Sequence, residues 1–417
     1  MYNHLLDFID QNHIIYEHQY GFRQKHSTQQ AIITLVDRIT NSLDKNDIVI
    51  SVFLDLKKAF DTVDHPTLLK KLYAYGIRGN AFYWLKSYLS GRSQYVVYDN
   101  KRSETQTIKC GVPQGSILGP LLFIIYMNDI CNVSRLLFTI MYADDTSVQL
   151  SGTNLNDLIQ SLNVELKLLS TWLQANKLSL NVQKSFFLVF HRARIKDDNM
   201  SIHIDGSVIN RTASIKYLGI IIDQKLNWCE HIAYVKNKVS KGVGILYRAR
   251  QFLDKKSLYN LYYSYVYPYL IYCIEVWGSA CQTHLHPLFL AQKKVVRIIT
   301  FSHYLAHTQP IFIDLSILPL DKLILNRIGI IMYKMSNGLL PEVMNALYVK
   351  NRDIHTYNTR SSNLLRVPRG TLSFANISAR LWNVLVLSID VNVSITIFKR
   401  NLKTYLLYNS VILKYTR

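Results

Sequence analysis

Two adjacent acids, Asp144 and Asp145, interrupt a stretch that otherwise reads as strand. Apolar Leu136, Leu137, Phe138, Ile140 and Met141 lead in, and Thr146, Ser147, Val148, Gln149 and Leu150 lead out with polar and apolar positions alternating. Both flanks therefore predict β-strands, with Tyr142-Ala143-Asp144-Asp145 at a hairpin tip. Within one strand, neighbouring side chains point to opposite faces. A tight turn instead lets both carboxylates lean to one side. Clustered carboxylates raise one another's pKa unless a cation holds them, and an oxygen-only ligand set suits Mg²⁺ or Mn²⁺. Asp is also common in ordinary hairpin loops, so the pair alone does not separate a turn from a site.

A third acid sharpens the reading. The run from Asp47 to Leu54 is apolar enough to be a buried strand, and it ends in Asp55. An acid at the mouth of such a strand is costly without a partner, which favours a functional role. Between the two acidic sites lies Gly111-Val112-Pro113-Gln114-Gly115-Ser116, followed by an apolar helix through Tyr126. Its glycines permit close approach of the backbone to something, and a helix N-terminus there suits an anion.

The segments around these residues are readable in turn. Residues 1–15 predict a short helix with Leu5, Leu6, Phe8 and Ile9 inward. Gly21 is expected to take unusual backbone angles, with Arg23 and Lys25 as cations beside it. Ser27 or Thr28 caps the next helix, whose stripe is Ile32, Leu35, Val36, Ile39 and Leu43. Helices follow at His65-Pro66 and Ala81, then a hairpin about Asp99-Asn100-Lys101, a long amphipathic helix from Leu155, and a strand after Lys184. A hairpin at Ser201 to Asn210 and a strand from Ile215 complete an alternation of strand and helix in the α/β manner to about Asp223. From Trp228 onward the chain reads helix after helix, including one over Lys255 to Tyr269. Tyrosines and cations interleave there, an arrangement that can stack bases and hold phosphates, though more than half of these tyrosines are expected in the core.

Charge points to a partner. The 417 residues carry 48 Lys plus Arg against 28 Asp plus Glu, a net +20. In a chain with core-forming composition, that excess suggests a polyanion: nucleic acid or an anionic membrane surface. Arg352 to Gly370 reads as an exposed basic loop, a candidate phosphate contact. The five cysteines fit neither a disulfide framework nor a zinc site, which favours a reducing, intracellular compartment. The most apolar stretch, Tyr259 to Ala280, contains Pro268 and Glu275, so it is expected as buried helix with no membrane span.

In order and spacing, six segments closely resemble reverse transcriptases of non-long-terminal-repeat (LINE-like, jockey-type) retrotransposons. They are Tyr20-Gly21-Phe22-Arg23 with Ser27-Thr28, Phe53 to Asp61, Gly111 to Ser116, Tyr142 to Asp145, Asn181 to Lys184, and Lys216-Tyr217-Leu218-Gly219. The resemblance implies an α+β right-hand polymerase: an antiparallel palm sheet with fingers, then an α-helical thumb and C-terminal region. The expected division is partial fingers at 1–45, palm with remaining fingers at 46–223, a thumb-like region at 224–345 and a basic C-terminal region at 346–417.

It also implies the activity: RNA-directed DNA polymerisation that copies element RNA from a DNA 3′-hydroxyl, with two Mg²⁺ ions, or Mn²⁺, on Asp55, Asp144 and Asp145. Two such ions, about 3.5–4 Å apart, would clamp attacking and leaving oxygens. Phe60 would exclude a 2′-hydroxyl, Gln114 and Gly115 would line the nascent pair and template, Arg23 would reach the triphosphate, and Lys184 would serve the leaving pyrophosphate. Tyr217, Leu218 and Gly219 would grip the primer end. The implied partners are element RNA, a DNA primer or target and dNTPs, with a nuclear location and cytoplasmic ribonucleoprotein as the other expectation.

The family's upstream fingers segments and apurinic-type endonuclease do not occur in this sequence. The reading frame is therefore expected to be a 5′-truncated element copy or a partial gene model, with endonuclease activity from the missing upstream part or another chain. The competing reading is a truncated relic that binds nucleic acid without copying it. A viral RNA-dependent RNA polymerase, a group II intron maturase and a telomerase fit less well, the first because Phe60 is a bulky gate and the others because of the segments around Phe60 and Tyr142.

Overall fold

The computed structural model describes residues 1–192, 200–354, 361–368 and 373–409. The chain forms two compact units: Met1–Ala31 with Asn46–Ala213, and Ile32–Lys45 with Ser214–Arg417.

The first unit is built around β1 (Ile48–Leu54), whose residues are buried from Val49 onward. A two-tier arm follows, made of β2 (Ser93–Gln94), β3 (Val97–Tyr98), β4 (Lys101–Arg102) and β5 (Gln106–Thr107), with β2 paired to β5 and β3 to β4. Asp99 and Asn100 both take left-handed backbone at the arm's turn, as such a tight hairpin requires. Then come β6 (Phe138–Tyr142), β7 (Asp145–Gly152), β8 (Phe186–Phe190), β9 (Ile202–Ile204) and β10 (Ser207–Arg211). They assemble with β1 into a six-stranded sheet of order β6-β7-β1-β8-β10-β9. Every pairing is antiparallel except β8 with β10. The sheet is therefore the largely antiparallel α+β kind that the resemblance implies, although the alternation of strand and helix reads in the α/β manner. Long helices between strands here lead back to antiparallel neighbours.

Helices Leu118–Met127 and Leu155–Ala175 contribute Leu122, Tyr126, Leu162 and Leu166 to one core with Ile50, Val52 and Leu54 of β1. Leu5, Leu6 and Ile9 of helix Tyr2–Gln11 are buried in the same core, and Phe8 packs half-buried at its margin. Each fully buried side chain of this kind stabilises by about 1.5–3 kcal/mol.

In the second unit, β11 (Ser214–Tyr217) and β12 (Ile220–Asp223) form a hairpin, and helices follow. The helix expected over Lys255 to Tyr269 is broken: it runs Lys255–Tyr265, turns at Val266 and resumes as Tyr267–Ile271 with Pro268 in its first turn. Proline has no N–H to continue the ladder, and the residue before it disfavours helical backbone. Tyr262 is fully buried against the rings of Tyr263 and Tyr267, and Tyr259 packs on Tyr263, while Tyr247, Tyr265 and Tyr269 are exposed. Among the described residues no helix is long and apolar enough to cross a membrane.

Residues 32–45, grouped by the sequence reading with 1–31, pack in this second unit. Helix Thr28–Asp44 buries Ile32, Ile33, Leu35 and Ile39 completely, while Val36 is only half-buried. Its buried Asp37 accepts hydrogen bonds from Ala375 N–H at 3.2 Å and Asn41 Nδ2 at 3.0 Å, so a carboxylate sits at the N-terminus of helix Phe374–Ser388. Burial pushes the Asp37 carboxyl up. The basic loop expected from Arg352 to Gly370 falls partly on 355–360 and 369–370, outside the described residues; Arg352 and Arg366 are exposed.

Asp64 ties the first unit's loops together. It caps helix His65–Ala74, accepting from Thr67 N–H at 3.1 Å and Thr67 Oγ1 at 2.7 Å, and it pairs with Lys177 at 2.6 Å. Burial pushes the Asp64 carboxyl up, but Lys177 and Thr67 together outweigh this and hold it below its usual range. Asp64→Ala is expected to lower unfolding free energy by about 1–2 kcal/mol, mostly through the cap, since exposed Lys177 adds little. A carboxylate held low stabilises above its unfolded value, about 3.9, and stops doing so as pH falls through its folded value. Urea midpoints of the two proteins should therefore differ at neutral pH and converge in acid.

Candidate active site

Three carboxylates converge at one end of the first unit's sheet. Leu54 pairs with Thr146 as the last step of the β1–β7 ladder, which puts Asp55 one residue beyond it on the side of Asp145. Tyr142 pairs with Asp145 as the last step of β6–β7, so the turn consists of Ala143 and Asp144. Asp144 thus lies in the turn, and Asp145 opens β7 instead of sharing the tip. Ala143 takes left-handed backbone with φ 59°, which allows the two-residue connection.

The acids feel one another. Burial, then Asp55, pushes the Asp144 carboxyl up. Asp145 has an exposed face, yet desolvation, Asp144 and Asp55 push its carboxyl up to about 6. None of the ion pairs among the described residues involves these carboxylates, and a bound cation would relieve the repulsion.

The backbone holds this arrangement from both sides. Asp55 N–H donates to Ser185 Oγ at 3.1 Å, Ser185 Oγ donates to the Asn181 carbonyl at 2.9 Å, and Asn181 N–H donates to the Asp55 carbonyl at 2.7 Å. On the other flank, residues 18–21 run beside β6. Tyr20 N–H donates to the Met141 carbonyl at 2.7 Å, and Met141 N–H to His18 at 3.0 Å. Fully buried Gln19 accepts at Oε1 from both Gly21 N–H at 2.8 Å and Ala143 N–H at 3.1 Å. Gly21 does not use left-handed backbone, contrary to the sequence expectation. A Cβ there would stand 2.3 Å from the Ala143 nitrogen, so glycine is needed because two backbones touch.

The remaining residues of interest divide into groups. Phe60, on the short helix Ala59–Asp61, stacks on Phe123 with centroids 4.0 Å apart and meets exposed Phe22 edge-on at 6.0 Å. Gln114 Nε2 donates to Asp61 Oδ1 at 2.7 Å, which joins the glycine loop to the Phe60 segment. Gly111 is pressed against the Asp61 backbone, whereas Gly115, with φ 82°, faces open space and needs glycine for its conformation alone. Arg23 donates to the carbonyls of Tyr16 at 2.9 Å and Gln19 at 3.3 Å, and burial lowers its pKa. Part of its guanidinium is therefore spent on holding its own loop. Lys184 is exposed on the turn Val182–Lys184, whose neighbours Asn181 and Ser185 grip Asp55.

Tyr217, Leu218 and Gly219 lie in the second unit. Leu218 and Gly219 are both left-handed at the β11–β12 turn, with the Leu218 carbonyl bonded to Tyr272 OH at 2.6 Å and Gly219 against the Tyr272 ring. Sequence reasoning passed over Gln19, whose only signal was its place two residues before Gly21, and Asp223. The Asp223 carboxylate accepts from the N–H groups of Lys225, Asn227 and Trp228 and shapes the loop after β12.

Among the described residues no group of three or more His, Cys, Asp or Glu side chains is already drawn together as an ion cage. The donor chemistry nonetheless fits Mg²⁺, which is held by one or two carboxylates plus substrate phosphates more often than by an all-protein cage.

Residues 1–222 match the family described as reverse transcriptase (RNA-dependent DNA polymerase). The chain belongs to the reverse transcriptase family. It is 31% identical over 326 residues to the RNA-directed DNA polymerase from mobile element jockey of Drosophila funebris, covering 76% of this chain and 35% of that one. It is 30% identical over 334 residues to the probable RNA-directed DNA polymerase from transposon BS of Drosophila melanogaster, covering 76% of this chain and 36% of that one. This reverse transcriptase chain thus spans about a third of the length of the curated relatives it matches. Among solved structures, apo telomerase from Candida tropicalis aligns with a TM-score of 0.44 at 11% identity, over 80% of this chain and 58% of that one, a likeness too low to support more.

The backbone contact at Gly21 generates a direct expectation. Gly21→Ala must displace the Ala143 turn, and overpacking of this kind costs about 1–3 kcal/mol. The urea midpoint of the variant should fall accordingly, whereas Gly206→Ala, in open space but also left-handed, should cost only the strain of its φ of 70°.

Proposed function

We propose that this chain is the polymerase part of a LINE-like retrotransposon's RNA-directed DNA polymerase, joining dNTPs to a DNA 3′-hydroxyl opposite element RNA. The observation that carries the reading is the meeting of Asp55, Asp144 and Asp145, whose carboxyls burden one another electrostatically. Asp55, Asp144 and Asp145 would hold two Mg²⁺ ions, or Mn²⁺, which supply charge neutralisation at the reacting phosphate.

In the reaction, the primer 3′-oxygen forms a bond to the α-phosphorus as the bond to pyrophosphate breaks. Exposed Lys184 would place a positive charge, or a proton, on the departing pyrophosphate. Phe60, backed by the Phe123 ring, would lie against the incoming sugar and leave no room for a 2′-hydroxyl. Gln114 and Gly115 would line the nascent pair and template, and the Arg23 N–H groups not bonded to its loop would reach the triphosphate. Tyr217, Leu218 and Gly219 would grip the primer end, with 1–45 as partial fingers, 46–223 as palm, 224–345 as thumb and 346–417 as a basic nucleic-acid contact. The setting would be nuclear, with a nick supplied by an endonuclease.

Primer extension tests this. With oligo(dT) on poly(rA), dTTP and Mg²⁺ or Mn²⁺, the protein should extend, and the double variant Asp144→Asn, Asp145→Asn should not. Retained template binding without extension by the parent would favour the binding-only relic. Phe60→Val should raise ribonucleotide incorporation relative to dNTP by tenfold or more, as expected when a steric gate of about 1–3 kcal/mol is removed; an unchanged ratio would remove Phe60 from that role.

A further inference from the structure

The arm β2–β5 has no part in the site described above, and its surface is unusual. Every residue from Ser93 to Thr107 is exposed. Tyr95 keeps 49% of its surface in solvent, Tyr98 83%, and Val96 and Val97 more than half. Nothing apolar covers these side chains, and an isolated two-stranded ribbon is at best marginally stable. An exposed apolar patch of this sort marks an interaction site.

The chemistry indicates what it binds. The Arg102 guanidinium lies over the Tyr95 ring at 3.6 Å. Where the arm joins helix Gly79–Leu89, Arg92 lies over Tyr88 at 5.7 Å, and Tyr88 is stacked on exposed Trp84 with planes only 9° apart. Flat rings alternate with cations along one ribbon and the helix beside it. Between Gly91 and Cys110 the cations Arg92, Lys101, Arg102 and Lys109 face only Asp99 and Glu104. Aromatic faces stack unpaired bases whatever their identity, and neighbouring cations take the phosphates. A duplex would bury its bases and leave the rings unused.

We propose that the arm and the Trp84 face form a binding site for an unpaired nucleic-acid strand, separate from the carboxylate site. This goes beyond the polymerase reading and does not rest on it. Loss of extension with strand binding intact would defeat that reading and leave this one standing.

The test is fluorescence anisotropy of the full chain with short labelled oligo(U) RNA, oligo(dT) DNA and a blunt duplex over a series of salt concentrations. Ultraviolet crosslinking and peptide mapping accompany it. Tyr95→Ala with Tyr98→Ala should weaken binding of single strands by about tenfold or more. Tyr95→Phe with Tyr98→Phe should retain it. Arg102→Ala should lower the salt slope by about one unit. Crosslinks should map to the peptide carrying Tyr95 and Tyr98, and the RNA and DNA arms show whether the site prefers one sugar. Equal affinity of the alanine and parent proteins, with matching thermal melts, would overturn the proposal. So would crosslinks confined to other peptides, or self-association in sedimentation that Tyr98→Ala abolishes, since a second copy would then cover the arm.

Discussion

Everything at the candidate site depends on keeping three like charges at the ends of neighbouring strands. A sheet does this well because its ladder is stiff: Asp55 cannot move without β1, and Asp145 cannot move without β7. Burial first, and then the neighbouring acids, push the Asp144 and Asp145 carboxyls up, and the surrounding backbone holds them in place. Ser185 and Asn181 fasten the Asp55 backbone, and Gln19 fastens both sides of the Ala143 contact. Gly21 lets the supporting segment approach until backbones touch. The local fold stores a cost that a cation would relieve, which links the packing to the proposed chemistry.

The same logic explains why the segments of the first unit are interdependent. The glycine loop 111–115 is bonded to the Phe60 turn through Gln114 and Asp61, and the Gly111 N–H donates to the Val63 carbonyl at 2.7 Å. Asp64 then joins that turn to the helix it caps and to Lys177 at the end of helix Leu155–Ala175. These loops are thus joined by hydrogen bonds to the backbone that carries Phe60, whose carbonyl accepts from Val112 N–H at 2.9 Å.

Much of this was legible in the sequence for physical reasons. The apolar run ending in Asp55 and the alternation around Asp144 are local signals, and the strands they imply exist. Strand direction was not local: the alternation of strand and helix did not fix it, and the antiparallel palm sheet came from the family resemblance; the register is antiparallel in all but one pair. Gly21 was noticed, but its reason was misread, since a close approach to Ala143 involves residues more than a hundred positions apart. Gln19 and Asp37 were passed over because nothing in their neighbours tells that one supports a distant turn and the other a distant helix end. The break at Val266 was signalled by Pro268, yet the surrounding apolar periodicity outweighed it in the reading.

The most direct test of the central claim is a thermal melt of the parent and Asp145→Asn, each with and without Mn²⁺. A carboxyl pushed up to about 6 by burial and like charges destabilises the folded chain once ionised at neutral pH. Removing its charge should therefore raise the melting temperature without metal, and should shrink the rise that Mn²⁺ produces in the parent. A variant that melts lower without metal, and gains as much from Mn²⁺ as the parent, would contradict the account.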